Sequence, residues 1–139
     1  LLSYRGQAAF DATQNDPDFG RGLFERRAHS YQAYQGKKLC DRFDAYSYVK
    51  MCRSADSHDI ARGRGSASEA LARITARCLI VAISTDILFP PSYHREMAAM
   101  IPGAEYKEID SDFAHDGFLI EKINRLICDF YSQTDNRQL

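Results

Sequence analysis

Residues 78–91 read Cys78-Leu79-Ile80-Val81-Ala82-Ile83-Ser84-Thr85-Asp86-Ile87-Leu88-Phe89-Pro90-Pro91. The run from Cys78 to Ile83 is continuously apolar and has the length of a strand, which is typical of a parallel β-strand covered on both faces. A polar turn containing Asp86 follows, and Pro90-Pro91 favours the start of a helix. The segment therefore predicts a strand, a turn and a helix in succession.

The residues downstream repeat this order. Apolar side chains between Tyr93 and Ile101 form one helical stripe, which Pro102-Gly103 terminates. Residues 105–109 alternate weakly and predict a second strand, and the apolar positions from Leu119 to Phe130 predict an amphipathic helix. Strand, helix, strand and helix make one parallel crossover with a closing helix, so the predicted fold class is α/β.

The first half of the chain instead predicts helices joined by polar loops. Helices are expected over residues 4–12, 23–43 and 45–55, and over a short stretch that Ser66 or Ser68 caps and that runs to Ile74. Glu69 lies three residues after Ser66, the spacing of a capping box. We therefore divide the chain into a helical insertion, residues 1–75, and a βαβα segment, residues 76–139. Because two parallel strands leave edges and faces uncovered, we expect further strands of a larger sheet to precede Leu1.

Composition narrows the class of protein. The chain has 139 residues, of which 45% are hydrophobic and 27% charged, and its formal net charge is −1. These values fit one soluble globular domain and argue against a partner that is nucleic acid or an anionic membrane. No apolar run approaches the about 18 residues that span a bilayer. The 4 cysteines form no C-x-x-C pair, which favours a reduced, cytoplasmic protein without a zinc site.

An acid and a base follow the two predicted strands. Asp86 and His115 should lie together, because the carboxyl ends of parallel strands meet in one crevice of an α/β sheet. A carboxylate that orients an imidazole, and an imidazole that accepts and returns a proton, are two members of a Ser–His–Asp triad. Asp86 alternatively caps the turn before the Pro90 helix, and His115 is alternatively a polar turn residue. Their order at matching strand ends favours the catalytic interpretation.

The third member of a triad is not evident. No G-x-S-x-G turn precedes Asp86, although that turn carries the nucleophile in α/β-hydrolases. Gly63-Arg64-Gly65-Ser66 follows no predicted strand and fits neither this turn nor a phosphate loop. Together with the absence of an initial Met, this predicts that the chain is a piece of a longer protein.

Other polar clusters favour structural interpretations. Arg62 and Arg64 are expected to form salt bridges within their loop rather than to contact RNA. The acids and histidine of residues 56–59 are expected to be exposed loop residues rather than metal ligands, since no second cluster completes a site.

Six segments, spread in order over nearly the whole chain, carry a family resemblance. They are Leu2-Ser3-Tyr4-Arg5, Ser30-Tyr31-Gln32-Ala33-Tyr34-Gln35-Gly36-Lys37-Lys38, Arg42-Phe43-Asp44-Ala45-Tyr46-Ser47-Tyr48, Ser57-His58-Asp59-Ile60-Ala61-Arg62-Gly63-Arg64-Gly65, Ser84-Thr85-Asp86-Ile87-Leu88-Phe89-Pro90 and His115-Asp116-Gly117-Phe118-Leu119. With these motifs the sequence closely resembles the homoserine O-acetyltransferases, which are acyltransferases of the α/β-hydrolase fold.

The resemblance implies a place in the fold and roles for three residues. The chain would be the C-terminal part of an α/β-hydrolase fold, a helical lid followed by the last two parallel strands and their helices. Asp86 would be the triad acid, His115 the general base, and Asp116 the contact to the amino group of homoserine. From the residues alone, Asp116 is also an N-cap of the helix at Gly117. The serine, the oxyanion hole and a substrate-carboxylate arginine would precede Leu1; Arg5 is not assigned to that last role, because the family's residue lies earlier.

The resemblance also implies an activity. An acetyl group would pass from acetyl-CoA to the hydroxyl of L-homoserine by a ping-pong mechanism, as in methionine biosynthesis. Acetyl-CoA would be a co-substrate with no further cofactor, and two subunits would pair through the lid helices. Alternatives are a succinyl donor, a serine acceptor, an esterase of the same fold, or a non-enzymatic dimerisation module built on the Tyr-rich helices.

Overall fold

The computed structural model of the chain describes residues 2–16, 22, 25–120 and 123–135. Seven α-helices lie in these ranges: α1 Gln7–Gln14, α2 Arg27–Arg42, α3 Ala45–Asp56, α4 Ala67–Leu71, α5 Pro91–Met100, α6 Gly117–Ile120 and α7 Ile123–Asp135. The strands are β1 Leu79–Ile83 and β2 Glu105–Ile109, and two 3₁₀ turns span Leu2–Tyr4 and Ala114–Asp116.

The two strands form a parallel pair. Leu79 lies opposite Glu105, and the register continues to Ile83 opposite Ile109. Helix α5 connects the strands and packs against both of them. This arrangement confirms the predicted α/β order of strand, helix and strand, and β2 has the bounds expected from the sequence.

The buried core is formed by residues of α4, the end of β1, the residue after α5 and the turn after β2. Its buried apolar side chains are Ala70, Leu71, Ala82, Ile83, Ile101 and Ala114. The prediction that β1 is covered on both faces is correct only for its last two residues, since Leu79, Ile80 and Val81 are partly exposed. Within the described residues, α5 is the helix that packs on both strands, and a helix layer on one side covers only one face of a sheet.

The helical half is more exposed. No residue of α1, α2 or α3 in the described ranges is buried. Helix α2 continues through Gly36 without a break. Leu23 and Phe24, where the sequence predicted this helix to start, lie outside the described residues. Helices α1 and α2 meet through the rings of Phe10 and Tyr31, whose centroids are 6.0 Å apart.

The predicted capping box is present at the start of α4. The Glu69 amide donates to Ser66 Oγ at 3.2 Å, and the Ser66 amide donates to Glu69 Oε2 at 2.6 Å. The helix ends earlier than the expected Ile74, because the amides of Arg73 and Ile74 bond to carbonyls three residues back and tighten the chain.

Within the described ranges, no helix is both long and apolar enough to cross a lipid bilayer. The 4 cysteines are free thiols.

Candidate active site

Two turns at the same edge of the sheet form the site. One leaves β1 after Ile83 and contains Asp86, and the other leaves β2 after Ile109 and leads into the 3₁₀ turn that contains His115. The strands are parallel and in register, so these turns emerge side by side. The Ser84 amide extends the pairing by donating to the Ile109 carbonyl at 2.9 Å.

The hydroxyls of Ser84 and Thr85 connect the two turns. Ser84 Oγ donates to Asp110 Oδ1 at 2.9 Å and accepts from the Ser111 amide at 3.1 Å. Thr85 Oγ1 donates to the Ser111 carbonyl at 2.5 Å and accepts from the Ala114 amide at 3.1 Å. Each hydroxyl thus uses both its donor and its acceptor capacity across the two turns, which holds them in one relative position.

The backbone at Ala114 is strained. Its φ is 51°, a left-handed conformation that costs a residue with a Cβ roughly 1–2 kcal/mol. Ala114 is buried, and its amide is held by Thr85. The strained residue turns the chain so that the next side chain, His115, points back to the turn after β1.

His115 and Asp86 are hydrogen-bonded. His115 Nδ1 lies 2.9 Å from Asp86 Oδ2, and the two side chains are 18% and 6% exposed. The other carboxylate oxygen, Asp86 Oδ1, accepts from the amides of Leu88 at 2.8 Å and Phe89 at 2.9 Å. The carboxylate is therefore held by its own turn on one side and faces the imidazole on the other.

Electrostatics keep Asp86 ionised. Burial disfavours the charged carboxylate, but the hydrogen bonds from the Phe89 amide, His115 and the Leu88 amide outweigh it, so the pKa of Asp86 lies below its ordinary value. An ionised carboxylate only accepts hydrogen bonds, so Nδ1 of His115 carries the proton of the shared bond. This tautomer makes Nε2 the ring atom that accepts a proton in a reaction.

Three aromatic rings surround the imidazole. The ring centroids of Tyr4, Phe118 and Phe89 lie 5.0, 5.3 and 5.4 Å from that of His115. The Tyr4 and Phe118 rings meet it edge to face, a favourable aromatic geometry. These rings hold the plane of the imidazole and shield it from water.

Asp116 follows His115 in the chain and is paired with Arg5. Arg5 Nε is 3.3 Å from Asp116 Oδ2, and the two side chains are 30% and 23% exposed. Among the described residues, no amide of α6 donates to Asp116, so the geometry does not make it a helix cap. A cavity of about 450 Å³, here called the base cavity, opens next to this pair; its lining includes Tyr4, Arg5, Tyr31, Arg42, His115 and Asp116.

Comparison with known proteins assigns the chain to a family. No family model matches the chain. The chain is 44% identical over 138 residues to a homoserine O-acetyltransferase of Moorella thermoacetica. This match covers 86% of this chain and 37% of that protein. It is 38% identical over 137 residues to the homoserine O-acetyltransferase of Cyclobacterium marinum, over 97% of this chain and 38% of that protein. The chain belongs to the homoserine O-acetyltransferase family.

These matches confirm that the chain resembles the homoserine O-acetyltransferases. The chain spans a little over a third of the length of these relatives. Among solved structures, an acetylester hydrolase from Corynebacterium glutamicum is 31% identical with a TM-score of 0.42, over 47% of this chain and 19% of that chain.

In this member of the homoserine O-acetyltransferase family, the sequence pattern did not predict a role for Ser84 and Thr85. Their position was visible as a pair of hydroxyl residues directly between a buried strand and the acid. Their role was not, because both Ser111 and Ala114, which they bind, lie more than twenty residues downstream, at separations of 26 to 29.

The loop of residues 57–66 corrects one expectation. Arg62 Nη2 donates to the Ser57 carbonyl at 2.6 Å and Arg64 Nη1 to the Ile60 carbonyl at 3.1 Å, so these cations bind backbone oxygens and not carboxylates. The loop turns back on itself at Gly63, whose φ of 70° favours glycine, and this brings its carbonyls within reach.

Proposed function

We propose that this chain is the C-terminal, lid-bearing portion of an α/β-hydrolase-fold homoserine O-acetyltransferase, with residues 1–75 as the lid region. In this proposal Asp86 is the acid and His115 the base of its catalytic triad. The observation that carries the proposal is the 2.9 Å bond between His115 Nδ1 and Asp86 Oδ2 at the carboxyl ends of two adjacent parallel strands. Family membership supports acyl transfer as the chemistry.

The first half-reaction acetylates the enzyme. A serine hydroxyl from a segment outside this sequence attacks the thioester carbonyl of acetyl-CoA while His115 Nε2 takes its proton. Asp86 stabilises the resulting imidazolium through the Nδ1 hydrogen bond. The C–S bond then breaks, and the departing CoA sulfur takes the proton from Nε2 and leaves as a thiol.

The second half-reaction returns the serine. The hydroxyl of homoserine gives its proton to His115 Nε2 and attacks the acetyl-serine carbonyl, and the serine oxygen leaves with that proton. The product is O-acetylhomoserine. In this step Asp116 holds the ammonium group of the acceptor, since its carboxylate lines the same cavity as the base.

The whole protein is proposed to be a cytoplasmic homodimer that pairs through α2 and α3. Large side chains on these helices are exposed, among them Tyr34, Tyr46, Tyr48, Val49 and Met51. A set of exposed aromatic and apolar residues on adjacent helices is suited to a second copy of the same surface.

The test is acyl transfer by the full-length protein that carries this sequence. Given acetyl-CoA alone, it should release no more than about one equivalent of free thiol per active site, and continued release with formation of O-acetylhomoserine should require homoserine. Equal release without any acceptor favours an esterase, and faster turnover with succinyl-CoA or with serine favours the other transferases. No release with any donor and acceptor contradicts the enzymatic proposal and leaves the dimerisation module.

A pair of histidine variants tests the assignment of the base. His115→Gln should lower kcat by at least about 10³-fold, because no other group on the described turns accepts the proton. His94→Gln is the matched control, since His94 lies on α5 and its Nδ1 contacts the Pro90 carbonyl at 3.2 Å; it should stay near wild type. Near-normal turnover of His115→Gln removes this residue from the mechanism.

A further inference from the structure

We infer that Arg5 is a positioning residue of the acceptor site, which holds the carboxylate of Asp116 in the orientation that receives the acceptor's ammonium group. The inference rests on the proposed function, because it concerns the second half-reaction at the same site. It assigns a role to a residue that neither half-reaction above uses.

The backbone on both sides of Arg5 is docked on the turn that carries the base. The 3₁₀ turn Leu2–Tyr4 packs against the 3₁₀ turn Ala114–Asp116, with the Tyr4 ring edge to face on His115. On the other side, Gly6 approaches the Asp112 carbonyl so closely that a Cβ at this position would overlap its oxygen. The Cα of Arg5 is therefore fixed relative to Asp116.

The side chain of Arg5 makes two contacts with different parts of its guanidinium. Its edge donates from Nε to Asp116 Oδ2 at 3.3 Å, and its Cζ lies 5.1 Å from the centroid of the Tyr31 ring on α2. A planar guanidinium can donate along its edge while its face lies on a ring, which an ammonium group cannot do. Arg5 thus joins the lid helix to the carboxylate beside the base.

Among the residues that the structure describes, the carboxylate of Asp116 is engaged through one oxygen. Arg5 binds Oδ2, and Oδ1 is the atom available to an ammonium group in the base cavity. Without the guanidinium, a carboxylate that is 23% exposed can rotate toward water. Binding of the acceptor must then turn the Asp116 carboxylate back, and the free energy of this reorientation weakens binding. The chemistry at His115 is unchanged.

Direct binding of the acceptor's carboxylate by Arg5 is the rival role. The existing contacts favour positioning, because the edge of the guanidinium already faces Asp116 and its face already lies on Tyr31. The two roles differ in a measurable way: positioning acts through the acceptor's amino group, and direct binding acts through its carboxylate.

The experiment uses Arg5→Ala and Arg5→Lys in the full-length protein, with Arg95→Ala as the matched control. Arg95 also forms an ion pair, to Glu108 at 2.6 Å, but between α5 and β2 on the exposed surface. For Arg5→Ala we expect KM for homoserine to rise about tenfold, as for loss of one charge-assisted hydrogen bond, with kcat within about threefold. Arg5→Lys should recover only part of this loss, and Arg95→Ala should match wild type.

Two further measurements separate the roles. In an Asp116→Asn background, Arg5→Ala should change KM for homoserine by less than about twofold, because coupled residues are not additive. With 4-hydroxybutyrate, which lacks the amino group, Arg5→Ala should likewise have little effect. A tenfold penalty that persists in either measurement shows that Arg5 acts on the acceptor's carboxylate and overturns the inference.

Thiol release from acetyl-CoA without acceptor reports the first half-reaction alone. Wild type and Arg5→Ala should give the same initial burst of thiol, since no ammonium group takes part. An unchanged KM for homoserine in Arg5→Ala with a normal burst overturns only the role of Arg5. Absence of the burst in the wild type overturns the proposed function, and this inference with it.

Discussion

Asp86 uses its two carboxylate oxygens for two different tasks. Oδ1 accepts from the amides of Leu88 and Phe89 and closes the turn after β1, whereas Oδ2 faces His115 Nδ1. The turn-capping and catalytic interpretations of this residue are therefore compatible. The hydrogen bonds from these two backbone amides hold the carboxylate in one orientation. A carboxylate that orients an imidazole must itself be held in this way.

Replacing Asp86 with Asn separates these two tasks. The amide oxygen of Asn can still accept from the turn, but its NH₂ favours the wrong tautomer of His115. We expect Asp86→Asn to lower kcat about 10⁴-fold, as loss of the triad carboxylate does elsewhere. Steady-state kinetics of the full-length protein measure this. Asp41→Asn, which removes an exposed partner of Lys37 on α2, is the control; an Asp86→Asn rate within tenfold of that control contradicts the proposed role.

The lowered pKa of Asp86 also predicts how stability depends on pH. A carboxyl whose pKa is lower in the folded than in the unfolded state stabilises the fold above its unfolded value, about 3.9, and loses this contribution as the pH falls through the folded value. We expect the difference in free energy of unfolding between wild type and Asp86→Asn to be largest near neutral pH and to narrow below about pH 4. Denaturant titrations of both proteins across this pH range measure the difference in free energy of unfolding. A difference that grows as the pH falls contradicts a lowered pKa of Asp86 in the folded state.

At the scale of secondary-structure elements, the close packing of α6 against β1 determines where His115 lies relative to Asp86. Helix α6 begins at Gly117, where an added Cβ would lie 3.0 Å from Ile83 Cγ2 and 3.2 Å from Ser111 Oγ. Glycine thus allows the helix to start directly against the end of β1. This close approach brings the preceding 3₁₀ turn, and His115 with it, next to Asp86.

A pair of Gly→Ala variants tests this spacing. Gly117→Ala should push α6 away from β1, lower the free energy of unfolding by roughly 1 kcal/mol through overpacking, and reduce kcat about tenfold. Gly36→Ala is the matched control in the interior of α2, where, apart from the neighbouring residues and the backbone of the helix itself, no atom of the described residues lies within 4 Å of the new Cβ. It should raise stability by roughly 0.5–1 kcal/mol and leave kcat unchanged. Equal behaviour of the two variants shows that the packing at Gly117 does not constrain the turn.

Helix boundaries show where local pattern was insufficient. The sequence predicted one helix over residues 4–12, but the structure has a 3₁₀ turn at Leu2–Tyr4 and α1 from Gln7. Gly6 between them is extended, with φ −64° and ψ 144°, because its backbone lies against the Asp112 carbonyl. That contact is tertiary, so no helical periodicity in residues 4–12 could reveal it. The capping box at Ser66 was predicted correctly because it depends on residues three apart.

At the scale of the whole molecule, the exposed side chains of α3 make the proposed dimer testable. Tyr46 is 86% and Val49 47% exposed on α3. If two copies pair through this face, the double variant Tyr46→Ser/Val49→Ser should shift the full-length protein from dimer toward monomer in sedimentation experiments. Tyr131→Ser is the control, since Tyr131 is 68% exposed but lies on α7, which is not part of the proposed interface; this variant should remain dimeric. A dimer that survives the double variant places the interface elsewhere.

Local patterns in the chain predicted the α/β order, the bounds of β2, the positions of Asp86 and His115 at matching strand ends, and the family. These features follow from apolar runs, turn residues and motifs that are short in sequence. The folded arrangement added that Oδ2 of Asp86 faces His115, that Ser84 and Thr85 join the two turns, and that Asp116 pairs with Arg5 across 111 positions of sequence. Such contacts arise from packing between distant segments, and no short-range pattern of side chains encodes them.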